Sequence, residues 1–431
     1  MPSQDKPIII LGAGLIGLTL AQGLKKHGFN FKVYDRDNSL DERPAGWGIT
    51  VHWAFAALEA CLPPELFAQI PSIQVNPGAI IENPSFKFLD LATGETRISV
   101  PSGPHLRLNR KLLRQLLSTD IEVNWGSRCT GFQIHDDGVT VEFADGSRVE
   151  GSMLLGVEGK NSLTRRTLLG EGNTQLNELP VAFTGMTLRL PQAKMQPFID
   201  IDPVLWQGTH PGSGYYVFFS MLSTPESNGS VETGDEYYEG QFNMSWLIER
   251  NGPLPKPEDQ IARVKAAVQA DSGFFPMLKE AILGIPDDSK MLNLKLEDWP
   301  SKSWPSLGGR VALVGDAAHT MTMYRGEAAN HGIYDAAGLI YQLIQWRDIG
   351  KPLEQAMKDY QHEVVTRTYE AVFLSRSACL ECHDIDTLSA SSAIFQVSGF
   401  NANVREDRPA FVLESRKVDS GMVNHGLSVT A

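Results

Sequence analysis

Pro7-Ile-Ile-Ile-Leu-Gly12-Ala-Gly14-Leu-Ile-Gly17-Leu-Thr-Leu-Ala-Gln-Gly-Leu24 is the stretch whose reading decides the fold. Its apolar run, Ile8 to Leu11, predicts a buried strand, and the apolar segment beyond Gly17 predicts a helix ending near Gly28. Between them, Gly12 permits a tight turn, Gly14 lets the backbone approach a pyrophosphate, and Gly17 lets helix pack on strand. The pyrophosphate then lies at a helix N-terminus, where unpaired N–H groups and a partial positive charge meet it. A second predicted strand, Phe31-Lys-Val-Tyr34, ends in Asp35. A carboxylate there accepts hydrogen bonds from a ribose and disfavours a 2′-phosphate. This much implies a bound dinucleotide and leaves NAD and FAD both open.

The far end of the chain decides between them. Gly309-Arg-Val-Ala-Leu-Val-Gly315-Asp316-Ala-Ala-His319 predicts a strand that stops at Gly-Asp. A loop follows, Thr320 to Arg325, then Gly326-Glu-Ala-Ala-Asn330 and a helix through Asp335. Asp316 can hold a ribityl hydroxyl. The helix start points N–H groups at a flavin's pyrimidine edge, which becomes negative on reduction. One cofactor touching both ends of the chain implies FAD and a fold closed on itself.

On these motifs the sequence resembles the group A flavin monooxygenases, the para-hydroxybenzoate hydroxylase superfamily, and most closely their single-component fungal members of secondary metabolism. The central motif, Gly156-Val-Glu158-Gly-Lys-Asn-Ser162-Leu-Thr-Arg165, and residues 315–336 carry the resemblance. It implies an α/β fold: a Rossmann-like FAD-binding domain of the glutathione-reductase type, an inserted, mainly antiparallel substrate sheet and a C-terminal helix. The FAD-binding parts are expected at residues 1–75, 101–170 and 291–350, the substrate sheet at 76–100 and 171–290, and the helical segment and tail at 351–431.

The flavin contacts that the resemblance implies are Gly12, Gly14, Gly17, Asp35, Arg36, Gly48, Arg110, Glu158, Asp316, Ala328 and Ala329. Gly48 belongs to the segment Ala45-Gly-Trp-Gly-Ile49, and Arg110 to a helix opening. Glu158 stands where the family has Asp, which keeps the charge, moves it by about a bond length and bears on coenzyme handling. Thr322 and Met323 replace the family's paired prolines and Ala328 a glycine, so a looser loop is expected there.

The resemblance further implies that NAD(P)H reduces the FAD, that O2 adds to give a flavin C(4a)-hydroperoxide, and that one oxygen atom hydroxylates or epoxidises the substrate. Aromatic, alternating segments such as Val181 to Leu190, Gly214 to Leu222 and Gln241 to Ile248 predict an antiparallel sheet with one face covered. They suggest a bulky, aromatic small-molecule substrate. Candidates for catalytic work are Arg189 and either Tyr215 or Tyr216. Neighbouring tyrosines on a strand face opposite ways, so only one can serve. His319 reads as a structural hydrogen-bonding partner.

Composition narrows the remaining classes. A formal net charge of −13, from 38 basic and 51 acidic residues, disfavours nucleic-acid and anionic-membrane partners. No apolar run is long enough for an integral membrane segment and no leader pattern precedes Ile8, so a cytoplasmic monomer or homodimer is expected, with no metal. Four cysteines make no disulfide scaffold. Cys379-Leu-Glu-Cys382-His383 matches the haem c attachment pattern but reads as two thiols near the end of a helix. The rival functions are a flavin oxidase or dehydrogenase on the same fold and a non-catalytic flavin-binding protein.

Overall fold

Ile8–Leu11 occupies the centre of a five-stranded parallel sheet, in the order Val311–Leu313, Met153–Gly156, Ile8–Leu11, Phe31–Tyr34, Val123–Asn124. Ile8 pairs with Met153 on one side and with Phe31 on the other. The continuous apolar run follows from this position, because both faces of a central parallel strand are covered. All four of its residues are buried. The computed structural model describes residues 6–42, 46–79, 84–270 and 273–396.

At the end of the first strand the chain turns at Gly12, where φ is +109°. A Cβ there would lie 2.4 Å from the Val157 carbonyl oxygen. Helix Leu15–Lys26 follows, burying Leu18, Leu20, Ala21 and Leu24 and placing Lys25 and Lys26 in its last turn, where cations suit the helix dipole.

A seven-stranded sheet forms the second layer, in the order Leu292–Asn293, Val181–Leu190, Tyr238–Leu247, Tyr216–Ser223, Leu205–Thr209, Ser85–Asp90, Thr96–Pro101. Its pairings are antiparallel except between Leu205–Thr209 and Ser85–Asp90. Alternation gives it two different faces. Trp206, Phe219, Phe242 and Trp246 lie on one, in a core shared with the helices Gln192–Ile201, Gln260–Ala270 and Pro276–Leu283. Phe88, Phe183 and Tyr216 lie on the other, packed with Tyr324 of the late motif and with Cys379 and Cys382. That second face looks at the dinucleotide-binding part.

The 29-residue helix Leu353–Glu381 ties the layers together. Tyr360 donates to the Leu313 carbonyl at 2.9 Å, Arg367 meets Asp335 at 2.6 Å, and Arg376 grips the buried Asp298 with two bonds of 2.6 and 2.7 Å. Cys379 closes this helix and Cys382 caps it. Burial pushes both thiols up, and both lie within an apolar cluster. Among the described residues no helix is long and apolar enough to cross a membrane.

The turn at Gly12 yields a test. Gly12→Ala combines a disfavoured φ with a carbonyl clash and is expected to lower folding stability by about 2 kcal/mol. An unchanged denaturation midpoint would mean that the turn relaxes freely.

Candidate functional site

A cleft of about 680 Å³ opens where the first strand, the central motif and the late helix converge. Its walls include Gly12, Gly14, Asp35, Arg36, Arg110, Glu158, Asp316, Ala328 and Ala329. Residues far apart in the chain meet there because Met153–Gly156 and Val311–Leu313 continue the sheet beside Ile8–Leu11. A Cβ on Gly14 would find nothing within 4 Å, so the turn presents bare backbone to the cleft at a helix N-terminus. Asp35 is fixed by the backbone N–H groups of Ala13 (2.5 Å) and Asp37 (2.9 Å). Arg110, Arg114, Arg128, Lys160 and Arg166 bring positive charge to the lining. The cleft thus carries what a dinucleotide requires: an exposed peptide turn, a ribose-accepting carboxylate and cations for a pyrophosphate.

Two of the expected contacts stand back from this cleft. Gly17 lies inside its helix, where a Cβ would be 1.9 Å from the Gly12 carbonyl oxygen; its task is close packing. Gly48 opens the strand Gly48–Val51, whose alternation sends Ile49 into the cleft and turns Gly48 toward the second sheet. Its N–H donates to Gln241 Oε1 at 3.2 Å. Ala45 lies outside the described residues.

Arg114 is a cleft residue that motif reading missed. Its Nε donates to the Ala13 carbonyl at 3.2 Å and an NH1 donates to the Leu40 carbonyl at 2.7 Å, so it braces the glycine turn from the cleft side. It sits one helical turn after Arg110, and that i, i+4 spacing was the available signal.

Glu158 has a definite local task. Its carboxylate accepts from Ser162 Oγ (2.7 Å), Thr164 N (3.0 Å) and Thr164 Oγ1 (2.7 Å), capping the helix Leu163–Leu169 from a distance. From that helix Arg165 reaches under the late motif. It donates to the carbonyls of Asp316 and Ala317 at 3.1 and 3.2 Å, with its guanidinium 4.6 Å from the Trp299 ring. Burial raises the Asp316 carboxyl above the usual range, against the pull of His319 and Arg165.

The late motif is held by buried charge. Asp335 accepts from Gly315 N at 2.8 Å, lies 2.6 Å from His319 Nε2 and pairs with Arg367. Burial opposes its ionisation, but His319 and Arg367 keep it well below the carboxylate range. His319 is therefore a structural partner. Burial would also raise Glu327, yet His331, Arg325 and His52 hold it at about 2. The loop that lacks the paired prolines is tied to the long helix instead. Thr322 and Ser375 exchange hydroxyl-to-carbonyl bonds of 2.8 Å in both directions, doing by hydrogen bonding what prolines do by geometry.

The three catalytic candidates separate. Tyr216 lies on the sheet face toward the cleft's domain, donating to Gln207 Oε1 at 2.7 Å. Tyr215 lies on the opposite face, where Arg263 donates to its hydroxyl at 2.6 Å and Trp246 packs against its ring. Arg189 shares the Tyr216 face but lies six residues beyond Phe183, roughly 20 Å along an extended strand. It is largely exposed there and pairs with Glu239 at 3.0 Å. The structure brings neither Arg189 nor Tyr215 to the cleft.

Fold and cleft together define a flavin dinucleotide protein with a separate, mainly antiparallel sheet. A family model described as an FAD binding domain matches residues 5–273. FAD-dependent monooxygenase dbaB of Emericella nidulans is 46% identical over 355 residues, covering 81% of this chain and 89% of that protein. FAD-dependent monooxygenase cctM of Talaromyces islandicus is 30% identical, covering 90% and 96%. Among solved structures, 2,6-dihydroxypyridine-3-hydroxylase from Arthrobacter nicotinovorans superposes with a TM-score of 0.71 at 16% identity, covering 92% of this chain and 97% of that one. Klebsiella pneumoniae HpxO, solved with FAD and uric acid, does so at 0.67 and 20%, covering 98% and 96%. The chain belongs to the group A FAD-dependent monooxygenases, beside these fungal members.

The Glu158 cap can be tested directly. Glu158→Asp shortens the side chain that spans to Thr164 and is expected to cost about 1–2 kcal/mol. A denaturant midpoint equal to the parent's would show the cap to be dispensable.

Proposed function

We propose that this protein uses NAD(P)H and O2 to hydroxylate or epoxidise a bulky aromatic molecule of secondary metabolism, acting in the cytoplasm. The observation that carries this reading is the pairing of a dinucleotide cleft with a sheet face made of rings and neutral polar groups. Trp47 packs edge-on against Phe183 at 6.0 Å, and Tyr216 lies 5.2 Å from Tyr324. Tyr324 donates to Ser245 Oγ at 2.9 Å, and Ser245 in turn meets His383 Nε2 at 2.9 Å.

In this reading, Gly12, Gly14, Arg110 and Arg114 hold the FAD pyrophosphate, Asp35 and Arg36 its adenosine end, and Asp316 its ribityl chain. The helix start at Ala328 and Ala329 faces the ring. FAD, once reduced, supplies the activation of O2 and the transfer of one oxygen atom. The chain's own residues exclude water and orient the substrate. Burial pushes the hydroxyls of Tyr216 and Tyr324 well above their ordinary range, so both remain donors at neutral pH. Burial also lowers His383 to about 4, keeping it neutral. Glu158, at the rim of the cleft, is the carboxylate best placed to affect coenzyme approach.

Turnover of a phenolic panel under isotopically labelled O2 tests the function, with one labelled atom expected in the product. Hydrogen peroxide with unlabelled oxidised product would identify an oxidase instead. The cofactor assignment has its own check. Asp316→Ala removes a charge-assisted bond of roughly 1.5–3 kcal/mol, so FAD should dissociate about ten- to a hundredfold more readily. An unaltered FAD dissociation constant would remove Asp316 from the site.

A further inference from the structure

Phe88, Phe183, Tyr216 and Tyr324 line the aromatic face of the second sheet, and none of them is more than 7% exposed. A compound that binds there must displace something that now covers the face. Two parts of the C-terminal region lie over it. One is the end of the helix Leu353–Glu381, through Ala378 and Cys379; the other is residues 385–396, through Ile385, Ala393, Ile394 and Phe395.

The helix is not the part that moves. Its Arg367 and Arg376 meet the buried Asp335 and Asp298, and breaking either pair would strand a charge in a dry interior. Residues 385–396 are held by much less. They form two short turns, Ile385–Thr387 and Ala393–Phe395, and the stretch between them exposes Ser389, Ala390 and Ser391. Two polar ties fix the second turn. Ile394 N donates to Glu381 Oε1 at 2.8 Å, and Arg325 Nε donates to the Gln396 carbonyl at 2.8 Å, with Arg325 NH2 donating to the same oxygen. A short segment with so few buried bonds opens locally at far lower cost than the domain unfolds.

Phe395 packs edge-on against Phe88, with ring centres 5.6 Å apart, and Phe88 lies 6.3 Å from Tyr216. Its ring thus fills a place in an aromatic row that has the size and chemistry of one ring of a ligand. Arg325, which holds the turn, follows Tyr324 of that same face. It also pairs at 3.0 Å with Glu327, the residue before the helix Ala328–Ile349. Opening the turn therefore uncovers the rings and releases Arg325 beside the cleft in one movement.

We infer that residues 385–396 are a lid over the substrate face, and that Phe395 is a specificity-determining residue whose ring must leave Phe88 before a ring compound reaches Tyr216. Such a lid limits ligand entry to its own opening rate, and it lowers apparent affinity by the fraction of molecules that are open. The inference rests on the proposed function, because it takes this face as the substrate's.

The full-length, FAD-loaded protein tests it with two uncharged fluorescent probes, 1-naphthol and the larger 1-hydroxypyrene, followed by stopped flow and by titration. In the parent, the observed rate of 1-naphthol binding is expected to level off with concentration, at the opening rate of the lid. Phe395→Ala and Glu381→Ala should each raise that ceiling more than about threefold, the first by vacating the ring's place and the second by removing a tie. Only Phe395→Ala should also shift the affinity ratio, by about tenfold or more in favour of 1-hydroxypyrene. Hydrogen exchange on the ligand-free parent decides the matter where a variant fails to fold. Peptides covering residues 385–396 should exchange at least about tenfold faster than those from the centre of the helix Leu353–Glu381. Exchange slower than that overturns the lid, as does a parent rate that climbs in proportion to probe throughout, a ceiling that both variants leave within threefold, or absence of binding in parent and variants alike. An affinity ratio that Phe395→Ala leaves unchanged overturns the role of Phe395. Labelled-oxygen incorporation, measured on the same parent protein, separates failure of this inference from failure of the monooxygenase reading.

Discussion

Asp335 is the carboxylate on which the assembled site depends. It receives the N–H of Gly315 at the end of one strand, the ring of His319 in the loop beyond, and Arg367 from the C-terminal helix. Three segments that could each move separately are thereby fixed to the helix Ala328–Ile349, whose N-terminus faces the cleft. A buried ion pair of this kind adds little net stability over apolar packing, whereas losing one partner strands the other in a dry interior. Its value is geometric. It holds Asp316 and Ala329 in place against the glycine turn, more than three hundred residues earlier in the chain.

Arg165 performs the matching task from the central motif. Its guanidinium reaches the carbonyls of Asp316 and Ala317, and its helix begins under the Glu158 cap. The longer carboxylate at 158 therefore has a local reason: it spans to Thr164 while Ser162 caps the same helix through Arg165 N. The Thr322–Ser375 exchange works in the same way, since it ties the late loop to the long helix with groups that proline could not supply.

Sequence reading reaches furthest where chemistry imposes spacing. Gly12, Gly14 and Asp35 follow from what a pyrophosphate and a ribose need, and the structure lines one cleft with them. Reading stops where a side chain's role depends on which way a strand faces or how far along it lies. Tyr215 and Tyr216 share composition and neighbourhood, and only the pairing of Tyr216 with Ser245 across the sheet shows which one faces the flavin domain. Arg189 shares the Tyr216 face but stands near the far end of a ten-residue strand, where it pairs with Glu239 and lines a second groove beside Trp47 and Thr187. Gly48 was legible as a glycine of consequence, but the group its missing side chain makes room for is Arg107, whose guanidinium carbon a Cβ would approach to 3.0 Å.

The distribution of charge then explains the division of labour between the layers. The cleft is lined by arginines and lysine, suited to an anionic cofactor, and the late motif behind it is knit by carboxylates and histidines with almost no exposure. Across the strand Gly48–Val51 the chemistry changes. Tyr216, Tyr324, Ser245, Gln207 and His383 satisfy one another as neutral groups. A ring compound loses little solvation by entering such a surface, while a free carboxylate or water cluster would find few partners there. Arg107, donating to Ser220 and Thr50, is a buried cation that ties the strand Leu106–Asn109 to the border of that field.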